Sequence, residues 1–215
     1  TFRKARTMNR FFRWFGLPGR LVLTTLMSIY ACALAIYSPT LPRLLAAVAM
    51  ILSSLGDIIL MDFKPITKSL PFRGFIPGAL VFTGAHIVYI IAFGYSIYDA
   101  GYAYLNVGVL AAFICYVVMI LATLIIVLAR NVEIKSMFFL SMIYLLVITG
   151  NCATVYSYAY SARGLSIVSA VGVLSFLASD YFIVMDKVCD IRSEKLRGLI
   201  WWFYPIGQIL LLLGV

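Results

Sequence analysis

Two aspartates that lie inside long apolar stretches are the residues of this sequence best suited to chemistry. Asp57 closes the segment Ser53-Ser54-Leu55-Gly56-Asp57, and Asp180 follows Ser179 near the end of a later apolar run. A carboxyl group at the centre of a bilayer costs about 3 kcal/mol on insertion scales, so such residues usually face a cavity or a partner. Buried carboxyl groups transfer protons or bind cations. We therefore expect Asp57 and Asp180 to meet at one polar site.

The stretches that carry these aspartates belong to a chain with the composition of a membrane protein. Its 215 residues are 64% hydrophobic and 12% charged, and the mean hydropathy is +1.04. A membrane-spanning helix needs about 20 apolar residues. The sequence predicts an all-α, polytopic bundle, with a basic tail at 1–20 and a single transmembrane domain at 21–215. Its seven predicted spans are about Leu21–Tyr37, Arg43–Met61, Gly74–Ile97, Leu105–Ala129, Ser136–Tyr160, Gly164–Met185 and Gly198–Val215.

The net charge of +9 follows this topology rather than indicating nucleic acid. Fifteen of the 17 Lys and Arg residues fall on one side of the predicted spans, and only Arg43 and Arg163 fall on the other. By the positive-inside rule, the protein is predicted to be an integral, multi-pass membrane protein with a cytoplasmic N-terminus. This topology also puts Asp57 and Asp180 near the same, inner end of the bundle.

The third apolar stretch carries a regular stripe of aromatic and polar residues. Its members recur every three or four positions, so they share one helix face: Phe75, Gly78, Phe82, His86, Tyr89 and Phe93. Aromatic residues at that spacing usually pack against neighbouring helices. His86 is the one histidine in the chain, and it is either a buried neutral histidine with a hydrogen bond or part of a polar site.

Several other kinds of site are excluded by what the sequence lacks. The four cysteines lie in or at the end of four different spans and form no C-x-x-C pair, so they are expected to pack as small apolar residues. One histidine does not make a zinc site, and no G-x-S-x-G motif indicates a serine lipase. The last span has no lysine for retinal. No metal and no cofactor is predicted, and nothing in the sequence indicates an oligomeric state.

In their order along the chain, these motifs resemble the YhhN family, the integral-membrane lysoplasmalogenases. The resemblance extends from about residue 45 to the end of the chain. The family is usually drawn with eight helices, so it implies one more helix before Leu21 in longer members. The matching residues are Gly56-Asp57, then Phe75, Gly78, Phe82, His86 and Tyr89, then Ser179-Asp180, then Tyr204 and Gln208 four positions later.

The resemblance implies hydrolysis of the vinyl ether bond of lysoplasmalogens to a fatty aldehyde and glycerophosphocholine or glycerophosphoethanolamine. That reaction needs a carboxylic acid to protonate the β-carbon and a carboxylate to stabilise the resulting cation or to activate water, as in glycoside hydrolysis. Asp57 and Asp180 are the expected catalytic residues, in either order, because neighbouring carboxyl groups do not readily ionise together. The expected contacts to the lysophospholipid are Ser54, His86, Tyr89, Asn151, Ser179, Tyr204 and Gln208. Its phosphate is expected at Lys64, Lys68, Arg73 or the Lys187–Arg197 link.

Two other interpretations stay open at this point. In a transporter or lipid-binding membrane protein, Asp57 and Asp180 would be proton or cation sites. Alternatively, each aspartate pairs with a tyrosine or serine of another helix and has only a structural role. Aldehyde release from a vinyl ether lipid distinguishes the hydrolase from both, because neither of the others cleaves the bond.

Overall fold

The computed structural model describes residues 16–61, 64, 75–132, 136–191 and 193–215. Within these residues the chain forms seven long helices and no strand, and all seven are long and apolar enough to cross a membrane. The predicted all-α fold with seven spans is therefore confirmed. The helices are α1 (Leu17–Tyr37), α2 (Leu41–Leu60), α3 (Phe75–Asp99), α4 (Val107–Ala129), α5 (Ser136–Ala162), α6 (Ser166–Lys187) and α7 (Glu194–Leu213).

Two helices begin a full turn earlier than the apolar stretches predict. α1 begins at Leu17 rather than Leu21, with a proline in its first turn, and α7 begins at Glu194 rather than Gly198. An apolar stretch marks the part of a helix that lies in hydrocarbon, whereas the helix itself continues into the polar interface. Arg20 therefore belongs to α1 and not to the basic tail. Residues 1–15 of that tail lie outside the described residues.

The helices pack in a closed circuit that leaves one of them outside. α1 contacts α2, and the contacts continue through α3, α5, α6 and α7 back to α1. α4 packs on α5, and it is both the most apolar span and the least buried one. Because the exposed side chains along these spans are largely apolar, they form a surface suited to lipid. The protein is an integral, multi-pass membrane protein, and the cytoplasmic location of its N-terminus stays a prediction.

Consecutive antiparallel helices bring five helix ends together at one end of the bundle. These are the starts of α1, α3 and α7 and the ends of α2 and α6, and residues from all five surround one cavity. Asp57 lies in the last turn of α2, and Asp180 lies two turns before the end of α6. The topology therefore carries both aspartates to the same end.

Candidate functional site

A cavity of about 580 Å³ opens at this end of the bundle, and both aspartates lie on its wall. Asp57 is 5% exposed and Asp180 is 2% exposed, although they are 123 positions apart in sequence. The volume lies within the range of ordinary small-molecule pockets. The wall is formed by Arg20, Asp57, Ile59, Leu60, Met61, Phe82, Ser179, Asp180, Ile183, Asp186, Lys187, Arg197, Ile200, Trp201 and Tyr204.

A hydroxyl group of the first helix forms a hydrogen bond with Asp57. The hydroxyl of Thr24 lies 2.9 Å from Oδ2 of Asp57 and 2.8 Å from Oγ of Ser54, and it can donate to either oxygen. Ser54 in turn donates to the backbone carbonyl of Thr24 at 2.9 Å. Ser54 therefore ties α2 to α1 and reaches the carboxyl group only through Thr24. The first span thus contributes a fully buried polar side chain, Thr24, to the surroundings of Asp57.

The packing of Phe82 explains why a glycine, Gly56, precedes this aspartate. A Cβ atom at Gly56 would lie 2.6 Å from the ring of Phe82, which occupies that space against α2. Phe82 lines the cavity beside Asp57. The members of the α3 stripe whose side chains are described, from Gly78 to Phe93, are all buried. The glycine, the stripe and the aspartate are thus parts of one packing arrangement between α2 and α3.

Asp180 is held by two ring side chains. The hydroxyl of Tyr144 donates to Oδ2 of Asp180 at 2.5 Å, and Nε2 of His86 lies 3.4 Å from the same oxygen. Behind the histidine, Nδ2 of Asn151 lies 3.2 Å from Nδ1 of His86. With the amide of Asn151 in this orientation, its nitrogen donates, Nδ1 accepts the bond and Nε2 carries the ring proton. His86 and Tyr144 therefore both present donors to the same oxygen of Asp180.

A second buried chain of hydrogen bonds connects three helices beneath the cavity. Tyr89 of α3 donates to Oε1 of Gln208 in α7 at 2.8 Å, and Nε2 of Gln208 lies 3.3 Å from Oγ of Ser53 in α2. Tyr89, Gln208 and Ser53 are all fully buried. Such a satisfied chain stabilises one arrangement of the three helices, since each polar group would be costly without its partner.

The predicted site residues therefore fall into two groups. Four of them line the cavity, namely Asp57, Ser179, Asp180 and Tyr204. The others lie behind the cavity wall. His86 faces Asp180, Asn151 bonds His86, Tyr89 and Gln208 bond each other, and Ser54 bonds Thr24. Tyr144 and Thr24 were missed as site residues. Their sequence signal is the same as that of Asn151, a polar side chain in an apolar span that needs a partner.

Tyr204 occupies the centre of an aromatic cluster at the cavity wall. Its ring lies 6.0 Å from that of Phe82, 5.4 Å from that of Phe176 and 6.1 Å from that of Trp201, centroid to centroid. Its hydroxyl interacts electrostatically with Asp57. Within the described part of the chain, however, that hydroxyl makes no hydrogen bond of ordinary geometry. A buried hydroxyl in this position is suited to bind a water or a ligand oxygen.

One end of the cavity, its outer end toward the surface of the bundle, is strongly charged. Arg20, Lys187 and Arg197 line it together with Asp186. Trp201 lies on the cavity wall, with the guanidinium of Arg20 4.5 Å from the centre of its ring. Of the other cations predicted to meet a phosphate, Lys64 is exposed and is not part of the wall, while Lys68 and Arg73 lie outside the described residues.

The arrangement places two carboxyl groups and the hydroxyl of Tyr204 on the wall of one cavity, beside apolar side chains. Such a site can deliver a proton from one carboxyl group and stabilise a developing positive charge with the other. The apolar side chains beside the aspartates, among them Ile183 and Ile200, can contact a hydrocarbon chain.

Comparison with protein families gives one match that covers nearly the whole chain. A model described as the YhhN family matches residues 18–215. The match begins inside α1 and includes all seven helices, so it extends well beyond the motifs from residue 45 onward. No curated protein and no solved structure matches the chain.

Proposed function

The chain belongs to the YhhN family, and from this premise we propose that it is a lysoplasmalogenase-like membrane hydrolase. The proposed substrate is a lysophospholipid with a vinyl ether chain, and the products are a fatty aldehyde and glycerophosphocholine or glycerophosphoethanolamine. The observation that carries this proposal is the position of Asp57 and Asp180 on the wall of one cavity.

The proposed reaction proceeds in three steps. One aspartic acid transfers its proton to the β-carbon of the vinyl ether, which leaves an oxocarbenium ion at the α-carbon. The second aspartate stabilises this cation and accepts a proton from the water that attacks the α-carbon. The hemiacetal that results then breaks its bond to the glycerol oxygen, which takes the proton from the second aspartic acid, while the first aspartate takes the proton of the hemiacetal hydroxyl. The products are the aldehyde and a glycerol hydroxyl, and both carboxyl groups return to their starting states. This use of two carboxyl groups parallels the one in glycoside hydrolysis.

The hydrogen bonds support a division of roles between the aspartates. Asp180 accepts the hydroxyl of Tyr144 and faces Nε2 of His86, and two donors at one oxygen hold this carboxyl group in a fixed position beside the cavity. We therefore assign Asp180 as the carboxylate that stabilises the cation. Asp57, which receives the hydroxyl of Thr24, is then the proton donor. Tyr204, whose hydroxyl faces Asp57, is suited to hold the attacking water.

The test is turnover of three matched lysophospholipids by the purified protein. They carry the same head group and chain length but differ in the bond at the first glycerol carbon, which is a vinyl ether, a saturated ether or an ester. We expect aldehyde from the vinyl ether alone. In D₂O the aldehyde should carry one deuterium on the carbon next to the carbonyl, because protonation of that carbon is the proposed first step.

Two results would contradict the proposal. Hydrolysis of the ester at a comparable rate would indicate a lysophospholipase. If the folded protein binds the lipid but releases no aldehyde, a transporter or lipid-binding function is favoured instead, with the aspartates as proton or cation sites.

A further inference from the structure

Three cations converge on the outer end of the cavity from three different helices. Arg20 comes from the start of α1, Lys187 from the end of α6 and Arg197 from the first turn of α7. The guanidinium of Arg20 is held over the ring of Trp201 at 4.5 Å, a distance typical of a cation–π contact. The stacked position orients this guanidinium at the cavity wall.

A buried aspartate holds the other two cations. Oδ1 of Asp186 lies 3.2 Å from Nε of Arg197, and Oδ2 lies 3.4 Å from Nζ of Lys187. Asp186 is 8% exposed, whereas the side chains of Arg197 and Lys187 are 53% and 48% exposed. Since Arg197 contacts Asp186 through Nε, its terminal amino groups can donate to a second anion. Asp186 thus fixes the position of Arg197 without using all of its donors.

Arg20 lies near enough to interact with the charges of both Asp57 and Arg197. An anion that binds between the guanidinium groups of Arg20 and Arg197 reduces the repulsion between them. A guanidinium presents its donors in a planar fork that matches the oxygens of a phosphate. The rigid supports of Arg20 and Arg197, namely Trp201 and Asp186, reduce the side-chain entropy that binding would otherwise cost.

We propose that Arg20 and Arg197 form a binding site for the phosphate of a lysophospholipid head group. Trp201 and Asp186 hold the two arginines in place. This inference rests on the proposed function, since the lipid bound there is the substrate whose vinyl ether lies at Asp57 and Asp180. The glycerol backbone then spans the cavity from the charged outer end to the aspartates, and the apolar walls receive the chain.

Binding to ligands that cannot be hydrolysed tests the site independently of turnover. The protein is studied in an uncharged, phosphate-free detergent with three ligands, a saturated alkyl-ether lysophospholipid, the alkylglycerol of the same chain length, and inorganic phosphate. Affinity is read from the ligand-dependent rise of the thermal unfolding midpoint. The variants are R20Q, R197Q and R20K, and the matched control is R130Q. Arg130 lies at the end of α4 on the same side of the bundle, is exposed, and is not part of the cavity wall.

The wild type should bind the lysophospholipid more tightly than the alkylglycerol. R20Q and R197Q should each weaken lysophospholipid binding by about tenfold to a hundredfold, as expected for a hydrogen bond to a charged group. Their binding of the alkylglycerol should stay at the wild-type level. R20K should retain part of the affinity because it keeps the charge but not the planar fork, and R130Q should behave as the wild type.

Three results would overturn the inference. The first is equal binding of the lysophospholipid by the wild type, R20Q and R197Q. The second is an equal loss for the alkylglycerol, which would assign the arginines to the fold. The third is Arg20-dependent binding of inorganic phosphate as tight as that of the lipid, which would indicate a site for free phosphate. Since none of these measurements uses turnover, the predicted binding without aldehyde release would overturn the proposed hydrolase and retain the phosphate site.

Discussion

The substitution G172A should disturb the contact between α6 and α7, the helices that carry Asp180 and Tyr204. A Cβ atom at Gly172 would lie 2.5 Å from the backbone nitrogen of Leu211 and 2.8 Å from the carbonyl oxygen of Gly207. Uncompressed contacts between such atoms are about 3.5 Å, so α7 has to move by about 1 Å. These are backbone atoms of a helix, and they cannot rotate away as a side chain would.

The magnitude follows from this displacement. Overpacking of a well-packed interior costs about 1–3 kcal/mol. For a chain of this size, each kcal/mol lowers the unfolding midpoint by about 2–4 °C, so G172A should unfold about 2–12 °C below the wild type. A misplacement of about 1 Å can also lower kcat by about a hundredfold, and aldehyde release should fall with it.

The matched control is G84A, in the middle of α3. No atom lies within 4 Å of a Cβ built at Gly84, and alanine stabilises a helix interior by about 0.5–1 kcal/mol relative to glycine. Thermal unfolding in detergent should therefore give G84A a midpoint equal to or above that of the wild type. Wild-type stability and turnover in G172A would refute the close backbone contact between α6 and α7.

Two further predictions concern the residues that hold Asp180. Y144F removes a hydroxyl bonded to a carboxylate, so kcat for aldehyde release should fall by about tenfold to a hundredfold with little change in KM; an unchanged or raised kcat would mean that Asp180 is not the carboxylate. N151L removes the donor to Nδ1 of His86, and ¹⁵N NMR of this single histidine should show a proton on Nε2 alone in the wild type and a mixture of tautomers in the variant. A wild-type histidine protonated on Nδ1 would contradict the assignment.

The fold and the shared position of the aspartates could be predicted because they depend on composition and chain direction. Seven apolar stretches determine seven spans, and the alternation of span direction brings the end of α2 and the end of α6 to the same side. The stripe on α3 could likewise be predicted from the sequence, since residues three and four positions apart share a helix face. Its description as one buried face is confirmed for the residues from Gly78 to Phe93.

The detailed contacts could not be predicted, because they depend on how each helix is rotated about its axis. α5 carries Tyr144, Thr149 and Asn151, and the sequence does not distinguish them. In the structure Tyr144 and Asn151 reach Asp180 and His86, whereas Thr149 bonds the carbonyl of Leu145 in its own helix.

The contribution of the first helix was missed for a related reason. Hydropathy begins the first span at Leu21, so Arg20 was counted with the tail, although the helix begins at Leu17. Thr24 reaches the carboxyl group of Asp57 through the direct packing of α1 on α2, and which face α1 turns toward α2 depends on its rotation about its axis.

The central claim is that Asp57 and Asp180 act together on one vinyl ether, and aldehyde release by the purified variants D57N and D180N tests it most directly. Asparagine keeps the size of aspartate but neither ionises nor delivers a carboxylic proton, so each variant should lower kcat by at least about a hundredfold. The double variant should be little worse than the poorer single one, because groups that act as a unit are not additive. The control is D99N, since Asp99 is exposed at the end of α3 away from the cavity; it should turn over as the wild type. Near-wild-type turnover in a folded D57N or D180N would contradict the claim for that residue.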